Sequence, residues 1–503
     1  MGIGITQEQR ELAEAVRGWV ARTVPPEEVR KLLDSPPPTG VRPDWWDALA
    51  AQGLLAPHLE GGTLLDLAVV VEEAARGALP GPFLPSALAS ALLHRAGADE
   101  LAAALADGSR IGAVALGPGS MTAVAAAVEG GGHLLDGTAP PVLGAGEADL
   151  VLLAAEAADG TLWFAVDAAA LDIRTHDSAD PTRPTAEVRA RGVAVPPGRL
   201  LALDAATVRD LACALFAADA CGTAAWAVHT AAEYAKVREQ FGRPIGRFQG
   251  VKHLCADMLV RLEQARALAW DAARAMGGAP GGAGSGSATG SAAGSVNGPA
   301  AGVATGPGAG GGIETASGAG GAAGGAGRTD GAAGAGAGAA NGPASRAANG
   351  PAAGAATGPA AGDATGPAAG DAGGPAVRGE AAEAEAAGAE AARVEAAEAA
   401  EAEAAPAEAA RARAVKARAL VVAFAVGVAL DAAWSCAKDC IQVLGGIGFT
   451  WEHDAHLYLR RALVARQLLG AADGHRLRAV RLAADGARRE LRLELPAGAE
   501  AYR

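Results

Sequence analysis

Two long helical patterns separated by one polar turn constrain the fold more than any other stretch of the sequence. The patterns cover residues 207–237 and 251–276, and two glycines and a proline interrupt them in between. The chain must therefore reverse its direction between two helices. The turn, Arg238–Gln249, carries three arginines, two glutamines and two phenylalanines. A purely structural helical hairpin needs none of this polarity, so the turn is the first candidate for a functional segment.

The character of the sequence divides the chain into helical and β parts. The first helical pattern begins with a capping box formed by Thr6 and Gln9. Short apolar runs separated by Gly and Asp, at strand spacing, follow it. We therefore predict a mostly α-helical protein with a small central β domain. The predicted parts are an N-terminal helical domain, a middle β domain, a C-terminal helical domain in two pieces, and a tail: 1–107, 108–198, 199–276 with 407–470, and 471–503.

A low-complexity insertion, residues 277–406, separates the two pieces of the C-terminal helical domain. Up to residue 379 it is almost entirely Gly, Ala, Pro, Ser, Thr and Asn, without Leu or aromatic residues. Such a segment has too little apolar surface to offset its ordering entropy, so we predict a disordered linker. The Ala/Glu-rich stretch 380–405 has helical potential but is too uniform to pack, and Pro406 is predicted to interrupt it.

Charge, hydropathy and cysteine content exclude several classes of protein. A net charge of −14 argues against a general nucleic-acid binder. The longest apolar run, Ala419–Leu430, is too short to span a bilayer and predicts a buried helix. The first residues show no signal-peptide pattern, so we expect a cytoplasmic protein. Cys436 and Cys440 lie one helical turn apart, but no second pair at ligand spacing accompanies them. We therefore predict buried thiols and no metal site.

Four stretches of the chain carry a family resemblance. Tyr234–Gln249 fits the pattern Y-A-x-x-R-x-x-F-G-x-x-I-x-x-F-Q, and Gln442–Phe449 fits Q-x-x-G-G-x-G-F. These motifs, with residues 67–85, resemble the acyl-CoA dehydrogenase family. Gly445–His453 reads G-G-I-G-F-T-W-E-H and resembles an actinobacterial-type branch of it. The resemblance implies an N-terminal helical domain, a middle β-sandwich or barrel, and a C-terminal four-helix bundle.

The resemblance also implies a cofactor, a substrate and an assembly. The cofactor would be flavin adenine dinucleotide (FAD) and the substrate an acyl-CoA thioester. The reaction would be α,β-dehydrogenation, in which a carboxylate takes the α-proton and the β-hydrogen leaves as hydride. The protein would be a homotetramer, or a heterotetramer with a paralogous subunit, that passes electrons to an acceptor flavoprotein.

Seven residues correspond to the family's cofactor contacts. Arg238, Gln240 and Phe241 would contact the pyrophosphate and adenine side, with Gln249 at the same end. Gln442, Gly445 and Gly446 would approach the cofactor of a neighbouring subunit. The chemistry agrees, because a diphosphate favours a cation and hydrogen-bond donors, and paired glycines admit a closely approaching ligand. Without the family, Arg238 could be a solvated helix-end cation, and the glycines a plain C-cap turn.

The sequence departs from the family at the flavin ring and at the catalytic base. Residues 115–122 lack the acidic and threonine positions of the family's T-E-P-x-x-G-S-D loop, and 141–144 is a poor match to its W-I-T-N loop. The family's two base positions fall on Leu469 and Ala212, which cannot accept a proton. Asp219, two turns after Ala212, is a weak substitute, because a buried structural hydrogen bond also explains it. For four further acidic and histidine side chains we expect structural roles: Glu452, His453, His456 and His253.

Three hypotheses therefore remain. The chain is a flavin-dependent acyl-CoA dehydrogenase or one subunit of such an enzyme, in which case a paralogue could supply the base. Alternatively, it is a catalytically silent structural or regulatory subunit of a heteromer. The third hypothesis is a flavoprotein that uses the same fold for other oxidation chemistry.

Overall fold

The computed structural model describes residues 4–34, 40–125, 131–277 and 377–489. Side chains are described in these ranges except at residues 34 and 377–405. The described residues up to 277 and from 394 onward form one structural unit, to which the packing described below belongs.

The N-terminal part of the described chain is helical, and capping residues set the start of two of its helices. Thr6 Oγ1 accepts the N–H of Gln9, and the Gln9 side chain accepts the N–H of Thr6, which confirms the predicted capping box. Thr63 and Asp66 form a second box before α4. The helices are α1 (Gln7–Thr23), α2 (Pro26–Asp34), α3 (Trp46–Ala50), α4 (Leu64–Arg76), α5 (Phe83–Arg95) and α6 (Asp99–Ala106).

A nine-stranded sheet follows the N-terminal helices. Its strands are β1 (Gly112–Val114), β2 (Thr122–Ala125), β3 (His133–Thr138), β4 (Val142–Leu143), β5 (Leu150–Ala157), β6 (Gly160–Asp167), β7 (Asp172–Thr175), β8 (Thr185–Val195) and β9 (Leu200–Leu201). The hydrogen-bonded path is β4-β8-β3-β2-β5-β6-β9; β1 pairs in parallel with β5, and β7 pairs antiparallel with β8. The sheet buries its own apolar core, which includes Leu153, Phe164 and Val188. The last strand lies beyond residue 198, the predicted end of the β domain.

The helices after the sheet surround one central helix. They are α7 (Ala205–Val237), α8 (Gln249–Gly277), α9 (Val377–Leu444), α10 (Ala455–Leu469) and α11 (Ala472–Ala484). A short hairpin, β10 (Glu239–Gln240) and β11 (Arg243–Pro244), joins α7 to α8. Residues 210–225 of α7 are buried without interruption. A helix that is apolar on all sides must be covered on all sides, and α4, α8 and α10 pack against it. The chain therefore has the predicted fold class, mostly helical with a central β domain.

Helix α9 corrects part of the predicted insertion. A disordered insertion was predicted for residues 277–406, with helical potential only in its Ala/Glu-rich part, 380–405, and a break at Pro406. The helix begins at Val377 and continues through the proline. A proline inside a helix costs about 3 kcal/mol. Alanine and glutamate on both sides are strong helix formers, and their summed propensity outweighs that cost. Residues 278–376, the remainder of the predicted linker, lie outside the described residues.

Helix α11 lies in the predicted tail, 471–503, for which no helix was predicted. Ala479 is buried against Leu420 and Ala423 of α9. Two ion pairs hold the helix to the bundle, from Arg478 to Asp210 and from Arg476 to Asp431. Two of its three buried residues, Ala472 and Ala479, are alanines, and the third is His475. Alanine is common everywhere in this chain and therefore gives no clear periodicity. Residues 490–503 lie outside the described part of the tail.

Among the residues that the structure describes, two helical segments are long and apolar enough to cross a membrane by length and composition alone: Ala205–Val237 and Pro406–Phe449. Their most apolar windows are 94% and 72% buried within the protein. The core helices of water-soluble proteins pass the same test. The predicted burial of Ala419–Leu430 is confirmed for most of the run, whereas the cytoplasmic location stays a prediction.

Candidate functional site

The polar turn after α7 is a tight two-residue hairpin with an exposed aromatic tip. Phe241 (φ 53°) and Gly242 (φ 74°) are both left-handed, as a two-residue hairpin loop of this twist requires. A left-handed phenylalanine is strained by about 1–2 kcal/mol, and such strain is often found at functional sites. The Phe241 side chain is 90% exposed and meets Phe248 edge to face at 6.1 Å between ring centroids. The Arg243 guanidinium lies 4.3 Å above the Phe248 ring.

The glycine motif forms the exit from α9. Gly445 has a φ of +62°, which ends the helix, and residues Gly445–Phe449 form a short 3-10 turn. A Cβ added at Gly445 or Gly446 would meet no atom within 4 Å, so the backbone there is open to an approaching group. Phe449 and Trp451, immediately after the motif, are 78% and 53% exposed. Such exposed rings mark a contact surface for a ligand or a second subunit.

The residues of these two motifs fit the diphosphate end of a dinucleotide. Arg238, Gln240, Gln249 and Gln442 are all exposed. Within the described residues, the Arg238 guanidinium has no hydrogen-bond or ion-pair partner, which leaves its donors free for an anion. The two motifs share no hydrogen bond, ion pair or ring contact in the described part of this subunit.

A cavity of about 490 Å³ opens between the β domain and the end of α10. Its volume is in the range of small-molecule sites. The β domain contributes Leu116, Pro140, Pro141, Thr185 and residues 176–179, and α10 contributes Val464, Gln467 and Leu468. A neighbouring apolar space of about 10 Å³ shares Leu116, Pro141 and Leu468 and adds residues such as Leu88 and Phe216. The cavity thus meets both loop segments that the sequence aligned with the family's flavin-ring loops.

The usual base positions lie close to this cavity or in the core, and both are apolar. Leu469 ends α10, directly after the cavity-lining Leu468. Its carbonyl oxygen is 2.9 Å from Nε2 of His475. Ala212 is fully buried in α7. The structure therefore agrees with the sequence that neither position can remove a proton.

Asp219, the weak substitute base, belongs to a buried ion network instead. It is 2% exposed, and its two carboxylate oxygens accept hydrogen bonds from Arg183 at 2.6 and 3.1 Å. In this bidentate geometry both oxygens of the carboxylate are bound to the guanidinium, so neither is available to take a proton from a substrate. Asp219 lines neither cavity. These contacts correct the suggestion that Asp219 is a substitute base and support its role in a buried structural hydrogen bond.

The ion network joins four parts of the fold. Asp180, on the connection between β7 and β8, lies 3.6 Å from both Arg183 and Arg461 of α10. Arg461 donates to the carbonyl oxygens of Ala78 and Leu79 and to the Thr182 hydroxyl. Two acidic and two basic side chains balance their charge in the interior. The network therefore fixes α7, α10, the end of α4 and the 176–185 connection relative to one another.

The remaining sequence candidates lie away from the cavity. Glu452 and His453 are in the turn between the glycine motif and α10, and His456 stacks on Trp451. Burial lowers the pKa of His453 and of His456. His253 is exposed on α8. These placements favour the structural roles that the sequence suggested.

The two neighbouring cysteines behave as buried apolar groups. Burial raises the pKa of Cys436 and of Cys440 to about 12, so both thiols stay protonated at neutral pH. Over the described residues, no group of three or more His, Cys, Asp or Glu side chains is placed to hold a metal ion.

Sequence reasoning missed the connection between β7 and β8. This connection lines the cavity with His176 and carries Asp180 and Arg183 of the ion network. One signal was available: Arg461 lies on the same face of α10 as the apolar Tyr458, Ala462 and Ala465. An arginine on a buried face requires an acidic partner elsewhere, but the sequence does not say where.

Comparison with known proteins gives the same family for two separate parts of the chain. Residues 6–107 match the model for the acyl-CoA dehydrogenase N-terminal domain, and residues 211–288 match the model for the C-terminal domain. The chain is 29% identical to acyl-CoA dehydrogenase FadE34 of Mycobacterium tuberculosis over 98% of its own length, but it spans only 50% of that relative. It is 31% identical to acyl-CoA dehydrogenase IpdE2 of Mycolicibacterium smegmatis, over 53% of this chain and 77% of the relative.

A solved structure shows the same fold. The ChsE4–ChsE5 complex from Mycobacterium tuberculosis contains a chain that superimposes with a TM-score of 0.63 at 20% identity, covering 96% of this chain and 99% of the other. The two motifs, the cavity at the end of α10 and these matches lead to one conclusion. The chain belongs to the acyl-CoA dehydrogenase family.

Proposed function

We propose that this chain is a subunit of a flavin-dependent acyl-CoA dehydrogenase, which introduces an α,β double bond into an acyl-CoA thioester. The observation that carries the proposal is the cavity of about 490 Å³ beside Leu469. It is bounded by Leu116 and Pro141, at the two segments aligned with the family's flavin loops, and by the end of α10. Family membership supports lipid- or steroid-derived thioesters as the substrate class.

The residues for FAD are those of the two exposed motifs. Arg238 and Gln240 would hold the diphosphate, with Phe241 and Gln249 at the same end. Gln442, Gly445 and Gly446 would approach the cofactor of the neighbouring subunit, where the open space at both glycines admits it. When bound, the flavin supplies the acceptor for the hydride that leaves the β-carbon. The cavity walls supplied by Leu116, Pro140 and Val464 would exclude water from the reacting thioester.

An oligomer completes the proposed site. A single chain exposes three large apolar side chains to water, which is unfavourable in free energy: Phe241, Phe449 and Trp451. A second subunit would cover them. A homotetramer or a heterotetramer with a paralogue agrees with this exposure. The heteromeric ChsE4–ChsE5 neighbour supports the second form. Electrons would pass on to an acceptor flavoprotein.

One observation favours the alternative, a catalytically silent subunit of a heteromer. Both usual base positions, Leu469 and Ala212, are apolar, and Asp219 is bound to Arg183. In that case a paralogous subunit would provide the base, and this chain would contribute only contacts to the flavin.

Flavin affinity tests the assignment of the first motif. We expect Arg238→Gln to raise the Kd for FAD by about 10- to 100-fold, because a charge-assisted hydrogen bond is worth about 1.5–3 kcal/mol. The measurement is a titration of the flavin-free protein followed by flavin fluorescence. Lys31→Gln, which removes an exposed cation outside both motifs, is the matched control. Equal affinities of wild type and Arg238→Gln would remove Arg238 from the site.

A further inference from the structure

His176 is a cavity-lining side chain that is both able to accept a proton and held in one orientation. It follows β7 in the connection to β8, and it is half-buried. Its backbone N–H donates to the carbonyl oxygen of Thr185. Its ring Nδ1 lies 3.0 Å from the Thr185 hydroxyl oxygen. The ring is thus anchored to β8 on one side, and Nε2 remains for a ligand.

A chain of hydroxyl groups is compatible with the tautomer that a base needs. The Thr185 hydroxyl lies 3.2 Å from the Ser178 hydroxyl, and Ser178 Oγ accepts the backbone N–H of Thr185 at 2.9 Å. If Nδ1 donates to Thr185, the Thr185 hydroxyl can donate to Ser178 without conflict. This arrangement leaves a lone pair on Nε2. It also remains intact when Nε2 gains a proton, because Nδ1 donates in both states.

The other groups at the cavity are weaker candidates. Gln467 and Ser178 are not basic at neutral pH, and Asp177 is exposed to solvent. Leu469 carries no titratable group, and Asp219 is held by Arg183 outside the cavity. Among the described residues that line the cavity, His176 is therefore the group best placed to accept a proton.

We propose that His176 is the catalytic base of this chain. This proposal rests on the proposed dehydrogenase function. In the step it performs, the electron pair of Nε2 takes the proton from the α-carbon of the thioester. The electron pair of the α-carbon–hydrogen bond becomes the second bond between the α- and β-carbons. Oxidised flavin, when bound, would supply the two-electron acceptor for the β-hydrogen and its electron pair, which balances the oxidation of the thioester.

The ion network gives the base a fixed position. Asp180 and Arg183 lie within the same nine-residue connection as His176, between β7 and β8, and are tied to α7 and α10. Arg461 of α10 lies two turns before Gln467 and Leu468, on the opposite wall of the cavity. Thr185 is accordingly a positioning residue, because it acts only through Nδ1 of the imidazole. Both walls of the cavity are thus held by one buried cluster.

Hydrogen exchange at the α-carbon isolates the proposed step. The protein, loaded with FAD that has been reduced beforehand, is incubated in D2O with butanoyl-CoA, octanoyl-CoA or a steroid carboxylic acid thioester of CoA. Reduced flavin cannot accept hydride, so deuterium at the α-carbon, measured by mass spectrometry, reports only on proton removal. We expect His176→Ala to slow the exchange by about 100-fold or more. Added imidazole should restore at least a tenth of the wild-type rate.

Two further variants separate a catalytic role from a structural one. His176→Gln fills similar space without a base and should be as slow as His176→Ala, while its flavin absorbance equals that of wild type. His253→Ala, at an exposed histidine on α8, should exchange at the wild-type rate. A structural defect would lower the flavin content and would not respond to imidazole.

The possible outcomes distinguish the two proposals. If wild type exchanges the α-hydrogen and His176→Ala does so within threefold of that rate, His176 is not the base, whereas the dehydrogenase function stands. The same result is expected if a partner subunit supplies the base. If wild type binds no flavin, or binds flavin and exchanges with none of the thioesters either alone or together with a paralogous subunit, the proposed function fails and the role of His176 fails with it.

Discussion

Replacing Asp219 with asparagine is expected to lower the free energy of unfolding by about 3–5 kcal/mol, because it leaves a buried guanidinium without its charge partner. Asp219 and Arg183 are 2% and 4% exposed, and two hydrogen bonds join them. The second acid near Arg183, Asp180, lies 3.6 Å away and is shared with Arg461. It therefore cannot compensate for the lost carboxylate.

Urea denaturation of the full chain, followed by tryptophan fluorescence, measures this change. A double variant provides the sharper comparison. Asp219→Leu with Arg183→Met removes both charges and leaves apolar groups of similar volume, so most of the lost stability should return. Lys31→Ala, which breaks the exposed pair with Glu28, should have no measurable effect. A loss below about 1 kcal/mol for Asp219→Asn would show that the network is not the buried, charge-balanced cluster described above.

The second large effect is expected for Gly222→Ala, which should cost about 3 kcal/mol or more. Gly222 lies where α7 crosses α4. A Cβ at this position would lie 2.0 Å from the carbonyl oxygen of Glu72 and 2.8 Å from both the Ala75 Cβ and the Arg76 nitrogen. Backbone atoms cannot swing aside, so the two helices would have to separate along a fully buried interface.

Gly474→Ala is the matched control for this substitution. Gly474 also lies inside a helix, α11, but a Cβ there meets nothing within 4 Å. We expect this change to be neutral, or stabilising by up to about 1 kcal/mol, since alanine is the better helix former. The comparison of the two midpoints of thermal unfolding separates helix propensity from packing. Equal midpoints would contradict the close crossing of α4 and α7.

Sequence patterns predicted the parts of this fold that are determined by residues close together in the chain. The capping box at Thr6, the reversal of the chain between α7 and α8, and the short strands of the β domain each depend on neighbours within a few residues. The turn from Arg238 to Gln249 is likewise specified by its own glycines and proline. These features follow from dihedral preferences and periodicity, which a sequence displays directly.

The features that the sequence did not show depend on distant partners. Asp219 was identified as an unusual acid in an apolar run, but its partner Arg183 is 36 residues away on another element. The proposed role of His176 depends on Thr185, which anchors its ring, and on the end of α10, which lines the same cavity. Helix α9 passes through Pro406 because the cost of one residue is small beside a long favourable run. A prediction that ends every helix at a proline does not compare the cost of the proline with the helix propensity of the residues around it.

Anaerobic absorbance spectroscopy of the FAD-loaded protein tests the central claim most directly. Addition of an acyl-CoA thioester should bleach the visible absorbance of the flavin, because the substrate transfers two electrons to it. We predict bleaching for the wild-type chain alone or together with a paralogous subunit, and strongly slowed bleaching for His176→Ala. A protein that takes up no flavin, or a flavin spectrum unchanged by every thioester in both assemblies, would contradict the proposed dehydrogenase function.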